Sequence, residues 1–366
     1  MTKICHLTSV HPRYDTRIFF KECKSLTKAG YSVSLIVADG KGDEIVDGIT
    51  IYDVGKPRGR IQRMLLSTKK VFQKAISLNA TIYHIHDPEL IPAGLKLKKK
   101  GLKVIFDAHE DLPRQLLSNP YLTKIIRVFL SKFFVLFEKN TCRRFDAIVT
   151  ATPFICKKFL RMNNNSINVN NFPILNELFE ETTNNADKKN ICYIGAISKT
   201  RGIEELVTTI EKIKSDTQLI LGGYFSESEL KNRMEKRSGW SKIQYLGLVD
   251  RNEVRKILSH TIAGMVTFLP EPNHIESQPN KLFEYMSAGL PVICSNFPLW
   301  KEIVEGNKCG ICVDPLNPKE ISTAIDFFVN NPETAQEMGR NGRLAVEQCY
   351  NWELEEKKLL KLYSRL

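Results

Sequence analysis

The chain has 366 residues, 42% of them hydrophobic and 26% charged, with a formal net charge of +12. This excludes a disordered or fibrous chain and predicts a globular protein with more than one hydrophobic core. The nine cysteines are odd in number and scattered, which argues for reduced cytoplasmic thiols and against a disulfide framework.

No apolar leader follows Met1, and no run reaches transmembrane length, so neither a secreted precursor nor an integral membrane protein is expected. The charge is uneven. Residues 1–172 carry 29 Lys+Arg and 14 Asp+Glu, whereas residues 173–366 carry 24 and 27. The first half is therefore expected to face something anionic, with nucleic acid and membrane as the usual choices.

Lys3–Val10 reads as a first strand, Ile18–Ala29 as a helix closed by Gly30, and Tyr31–Ala38 as a second strand. The intervening loop, H-P-R-Y-D-T-R, lacks the glycine fingerprint of a dinucleotide site. Further strand patterns fall at Ile49–Val54, Ile82–His86, Val104–Ala108, Ala147–Thr152 and Ile167–Asn171, with helical patterns between most of them. This rhythm predicts a parallel sheet covered on both faces, with ligands at the carboxyl ends of its strands. Two such ends carry histidines and acids: His84, His86 and Asp87 in H-I-H-D-P-E-L, and Asp107, His109 and Glu110 in F-D-A-H-E-D. They could ligate a metal, but no H-E-x-x-H or D-x-D occurs, so no metal site is expected.

Residues 58–78 and 112–145 are at once helical, basic and apolar, with Arg127, Lys132, Arg143 and Arg144 in the second stretch. They fit helices lying on an anionic bilayer, or helices packed on the sheet with a solvated cationic face. Neither resembles a nucleic-acid module, and no nucleic acid is expected.

The first domain is expected to end at Phe172, and residues 176–190 have a linker composition. A second α/β rhythm follows: strands at Asn190–Ile197, Gln218–Gly222, Ile243–Val249, Ala263–Leu269, Pro291–Ser295 and Gly310–Val313, and a helix at Gly202–Lys214. Cys309-Gly-Ile-Cys312 lies in an apolar run and reads as buried structural thiols. Helices are expected at Pro332–Gln348 and Trp352–Leu366.

The most informative stretch is E-S-Q-P-N-K-L-F-E-Y-M-S-A-G-L-P-V, from Glu276 to Val292. Asn280 is placed to cap a helix stopped by Gly289 and Pro291, so Glu276 falls in the preceding loop and Glu284 about a turn inside. A helix N-terminus with Lys281 beside it suits a phosphate, and the two carboxylates suit sugar hydroxyls.

This stretch resembles the signature of retaining glycosyltransferase family 4: two glutamates separated by seven residues, then a helix ending A-x-G-x-P-V. The resemblance implies a GT-B fold, with two doubly wound Rossmann-like α/β domains facing across a cleft. It implies an N-terminal acceptor domain (1–172), a donor domain (173–348) and a final helix (349–366) returning to the first domain. By the same resemblance Glu284 holds the ribose, Glu276 and His109 reach the donor sugar, and Arg201, Lys281 and the backbone around Asn280, Leu282, Gly195 and Gly222 serve the diphosphate. The family's phosphate-binding Arg is Ala196 here, and its first-loop Gly pair is replaced by Asp15, Thr16 and Arg17. Arg17 is then a candidate for the diphosphate or the acceptor, or else a surface-turn arginine, and His86 and Asp87 are candidates for the acceptor side of the first-domain cleft, or else structural residues. No cofactor is implied beyond a UDP-sugar donor, with N-acetylhexosamine as the sugar. The acceptor would be an undecaprenyl-diphosphate-linked glycan of bacterial surface polysaccharide, met at the inner face of the cytoplasmic membrane. A UDP-sugar epimerase of the same architecture and a non-enzymatic basic membrane-binding protein are the competing readings.

Overall fold

The computed structural model describes residues 1–118, 122–180 and 188–366, and the chain divides into two compact units. The first comprises Met1–Asn171 and Leu354–Leu366, and the second Phe172–Glu353. Of the polar 176–190 stretch, residues 181–187 fall outside the described residues, as do 119–121 within the basic stretch 112–145.

The first unit holds an eight-stranded sheet: β1 (Lys3–Leu7), β2 (Ser32–Val37), β3 (Glu44–Val46), β4 (Ile49–Asp53), β5 (Ile82–Ile85), β6 (Lys103–Ala108), β7 (Ala147–Thr150) and β8 (Ser166–Asn168). Its order is β3-β4-β2-β1-β5-β6-β7-β8, parallel except for the short β3, which pairs antiparallel with β4. The central strands are covered on both faces, so they read as unbroken apolar runs, and Val104, Ile105, Phe106, Ile148 and Val149 are all buried. The order reverses between β1 and β5, where a doubly wound sheet opens its ligand crevice.

The second unit holds six parallel strands: β9 (Ile191–Ile194), β10 (Leu219–Gly222), β11 (Ile243–Gly247), β12 (Ala263–Val266), β13 (Val292–Ser295) and β14 (Gly310–Val313). Their order is β11-β10-β9-β12-β13-β14, reversing between β9 and β12. Each unit is thus a Rossmann-like layer of helices on a parallel sheet.

The last helix, Trp352–Tyr363, begins in the second unit and ends in the first. In the first unit Leu359 and Leu362 are buried, Glu355 accepts from the backbone and side-chain N–H of Asn170 at 3.0 Å each, and Tyr363 is hydrogen-bonded to His84. All nine cysteines are free thiols; Cys309 is buried, while Cys312 is only half-buried, with its Sγ 3.5 Å from that of Cys294.

Candidate active site

The second unit gathers its polar groups at the carboxyl ends of β9, β10 and β12. The helix after β12 runs Asn280–Ser287 and buries Leu282, Phe283, Tyr285 and Met286 on one face. Pro279, in extended conformation, is the capping residue, and no side chain caps this end. Asn280 is therefore the first helical residue, one position inside the predicted cap, because proline's fixed φ favours the entry turn. Leu282 is wholly in the core and its amide donates to the Pro279 carbonyl, so neither its side chain nor its N–H is turned to a ligand.

Lys281 is the notable group. Its ammonium is buried and has no hydrogen-bond partner among the described residues. It lies 3.6 Å from the centroid of Tyr193 and 5.1 Å from that of Phe268. Burial, and then the neighbouring Arg201, push its pKa well below the usual lysine value. An unpaired cation of this kind is costly unless something anionic completes it.

Arg201 follows β9 in a short turn of helix, with its Nη1 donating to the Ala196 carbonyl at 3.1 Å and its guanidinium 5.4 Å from the Phe268 centroid. The Tyr193 hydroxyl donates to the same carbonyl at 2.8 Å. Gly202 ends this turn at φ +77°, where a Cβ would sit 2.0 Å from the Thr267 carbonyl oxygen, so only glycine brings Arg201 this close to β12. Gly195, at φ +124°, would direct a Cβ to 3.3 Å from the Lys281 ammonium, and its absence leaves that space open. The Gly195 amide itself donates to the Gly222 carbonyl.

Glu284 and Glu276 are both half-buried. Glu284 accepts from Arg251 Nη1 at 2.8 Å, while the rest of that guanidinium grips Glu177 at 2.7 and 2.9 Å. Arg251 escaped the sequence reading, as 33 residues separate it from Glu284. The capping box of its helix, Asp250 with Glu253, was the one local signal that fixed its position.

In the first unit the predicted residues separate into two layers. The upper layer is partly open. His11 Nε2 lies 3.1 Å from His109 Nε2 and 3.4 Å from Asp87, and His11 Nδ1 lies 3.4 Å from Asp15. Burial opposes charge on His11, but the hydrogen bond to Asp15 and the charge of Asp87 outweigh it and raise the pKa. Asp15 is correspondingly held at about 2: burial alone would raise it, but the bond from His11 and the backbone N–H groups of Ile18 and Arg17 win. His109 is lowered by burial, so the two facing imidazoles are shifted in opposite directions. His11 was also missed by the sequence reading.

Arg17, His86 and Asp87 are all closed off from the surface, which removes them from the acceptor side. Arg17 is buried; its Nε and Nη2 clasp Asp107 at 2.7 and 3.1 Å, Nη1 donates to the Val169 carbonyl at 2.8 Å, and Nε lies 3.1 Å from Glu22. It is a structural cation, not one available to a diphosphate or an acceptor. His86 is fully buried, 2.8 Å from His6 Nδ1 and 3.3 Å from Asp107, and faces no substrate. Asp87 is buried and accepts from the Thr8 hydroxyl at 2.9 Å and the Ser9 amide at 2.6 Å, so it shapes the loop after β1 and buttresses His11.

Two groups hold metal-ligating side chains close together among the described residues: His6, Glu22, His84 and His86, and His86, Asp107 and His109. In the first, His6 and His86 bond to each other and His84 Nδ1 to the Tyr363 hydroxyl at 2.8 Å, while His84 Nε2 makes no hydrogen bond among the described residues. Burial drives His6 and His84 toward the neutral form and, aided by Asp107, raises Glu22 well above the carboxylate range.

Two Rossmann-like α/β units, the second with a buried lysine beside an arginine near the carboxyl ends of its strands, make up the architecture of a GT-B fold. Residues 176–345 match the family model for glycosyl transferases group 1, and residues 17–169 that for glycosyltransferase family 4. Between them the two models span most of the chain, so each of its halves is a glycosyltransferase domain. It is 25% identical over 184 residues to an uncharacterized glycosyltransferase of Methanocaldococcus jannaschii, covering 49% of this chain and 45% of that one. It is 24% identical over 210 residues to the capsular polysaccharide biosynthesis glycosyltransferase CapM of Staphylococcus aureus, covering 55% and 53%. The matched part is thus about half the length of these relatives. A further uncharacterized glycosyltransferase, from Haemophilus influenzae, matches at 23% over 343 residues, 90% of this chain and 91% of that one. Among solved structures, sucrose-phosphate synthase from Thermosynechococcus elongatus superposes with a TM-score of 0.81 at 17% identity, covering 100% and 99%. Anabaena HepE in complex with UDP and glucose superposes at 0.76 and 13%, covering 100% of each chain. These likenesses establish the GT-B fold.

Proposed function

We propose that this protein transfers a sugar, with retention of anomeric configuration, from a UDP-sugar to a lipid-linked glycan in the assembly of bacterial surface polysaccharide. The carrying observation is Lys281, a buried ammonium with no hydrogen-bond partner among the described residues, at the start of the helix that also bears Glu284. A diphosphate supplies the missing counter-charge. Arg201 adds a second cation, so the negative charge that develops on the leaving diphosphate is met by fixed positive groups. Glu284, held by Arg251, accepts from the ribose hydroxyls, and Glu276 and His109 take the sugar.

The acceptor hydroxyl oxygen bonds to the anomeric carbon on the face from which the diphosphate departs. The leaving phosphate oxygen takes the acceptor's proton, and no protein nucleophile or resident cofactor is required. HepE, crystallised with UDP-glucose, and CapM, named for capsular polysaccharide biosynthesis, support this choice of donor and product class. N-acetylhexosamine is the preferred sugar. The test is incubation with UDP-N-acetylglucosamine and a lipid-linked acceptor, followed by NMR of the product. An α-linked product carries the proposal; a β-linkage, or free sugar without acceptor consumption, overturns it.

A further inference from the structure

The helix Lys124–Thr141 is amphipathic in the inverted sense. The residues it buries are Ser131, Glu138 and Thr141, with Glu138 paired to Lys158 at 2.6 Å. Its apolar residues face out: Ile125 is 83% exposed, Phe129 69%, Phe133 53% and Leu136 58%. Steps of four, four and three put these on one stripe. A second exposed apolar group, Ile61, Met64, Leu65 and Leu66, follows β4. The β4-to-β5 and β6-to-β7 connections cross the sheet in the same direction, so both segments lie on one face, starting from the carboxyl edge.

Charge decides what covers this face. Lys124, Lys132, Lys139, Arg143 and Arg144 are exposed around the first group, and Arg58, Arg60, Lys69 and Lys70 around the second. Residues 58–78 contain no acid, and the only acid in 122–144 is the buried Glu138. A second copy would set cations against cations. A nucleic acid would pair with the charges and leave a stripe of Ile, Phe and Leu uncompensated. A bilayer with anionic lipid satisfies both demands, with acyl chains for the stripe and head groups for the rim. No helix among the described residues is long and apolar enough to cross a membrane, so this one lies in the interface.

We infer that the Lys124–Thr141 helix, with the Ile61–Leu66 turn, inserts its apolar stripe into an anionic membrane surface. The inference deepens the proposed use of a lipid-linked acceptor and rests on that reading for its purpose, not for its geometry. Arg127, which the sequence places on this face, instead donates from Nε to the Leu122 carbonyl at 2.7 Å. It holds the start of the helix.

The test uses the full chain and vesicles of phosphatidylcholine with and without phosphatidylglycerol. Replacing Phe129 with Trp gives a probe whose emission shifts blue on vesicles and is quenched by brominated acyl chains. The triple variant Ile125→Ser, Phe129→Ser, Phe133→Ser is expected to lose at least tenfold in vesicle partitioning. It should keep the parent's UDP affinity by calorimetry. Lys124→Gln, Lys132→Gln, Arg143→Gln and Arg144→Gln together should remove the dependence on anionic lipid. An unshifted probe, a triple variant that sediments like the parent, or a parent dimer that the triple variant dissolves would each overturn membrane insertion. UDP binding by the parent without vesicle binding would remove the docking face alone, whereas absence of UDP binding would remove the proposed function.

Discussion

Replacing Lys281 with Met separates stability from function at the candidate donor site. The ammonium is buried without a hydrogen-bond partner among the described residues, and an unsatisfied buried polar group costs about 1–3 kcal/mol. The Tyr193 face, 3.6 Å away, returns up to about 2 kcal/mol when the group is charged and desolvated. Methionine keeps the packing and removes the penalty. The ligand-free variant should therefore be equally stable or more stable by about 1 kcal/mol, a rise of about 2–4 °C in a domain of this size. UDP should lose a charge-assisted contact of about 1.5–3 kcal/mol, so Kd should rise about 10- to 150-fold.

Proton linkage gives a second readout. Lys281 titrates well below its usual value when free, and a bound diphosphate raises it. Between those two values the complex holds one more proton, so UDP binding takes up protons and weakens as pH rises through the window. Calorimetry in two buffers of different ionisation enthalpy should detect this uptake in the parent and not in the variant. An unchanged Kd, or a melting temperature several degrees lower, would refute the assignment of a diphosphate to Lys281.

Glu284→Ala should weaken UDP by about 1.5–3 kcal/mol, measured by calorimetry, because the ribose hydroxyls lose a charged acceptor. Chelation with EDTA should leave transfer largely intact, because the chain lacks D-x-D and the proposed site meets the diphosphate with Lys281 and Arg201 instead. Complete loss restored by Mn²⁺ would count against that division of labour. Tyr363→Phe should cost about 1–3 kcal/mol in denaturant unfolding, because the buried His84 loses its 2.8 Å partner. No change would mean that the histidine re-pairs within the cluster.

Much of this was readable from residue order alone, for a physical reason. Parallel strands buried on both faces appear as apolar runs, so the central strands of the two sheets announced themselves, while β3, at the sheet edge and bearing Glu44, did not. The Glu276–Glu284 stretch was legible because its chemistry is contiguous. Contacts distant in sequence were not. Arg17 looks like a loop cation until Asp107, 90 residues on, is seen to take it, and Arg251 looks like a helix-start charge until Glu284 appears beside it. His86 carries a strand-end signature, but it is fully buried against His6 of β1 and Asp107 of β6. The inverted amphipathicity of Lys124–Thr141 needed the structure, because the sequence shows that apolar and basic residues mix but not which face is packed.

The central claim is that the second unit seats a nucleotide-diphosphate sugar, and thermal denaturation against a panel of nucleotide sugars tests it most directly. A ligand that binds only the folded state adds about 2.7 kcal/mol at one hundred times its Kd, which is several degrees here. A UDP-sugar that raises the melting temperature of the parent, and does so much less in Lys281→Met and Glu284→Ala, is the predicted result. A panel in which no nucleotide sugar shifts the transition, or in which both variants respond like the parent, would contradict it.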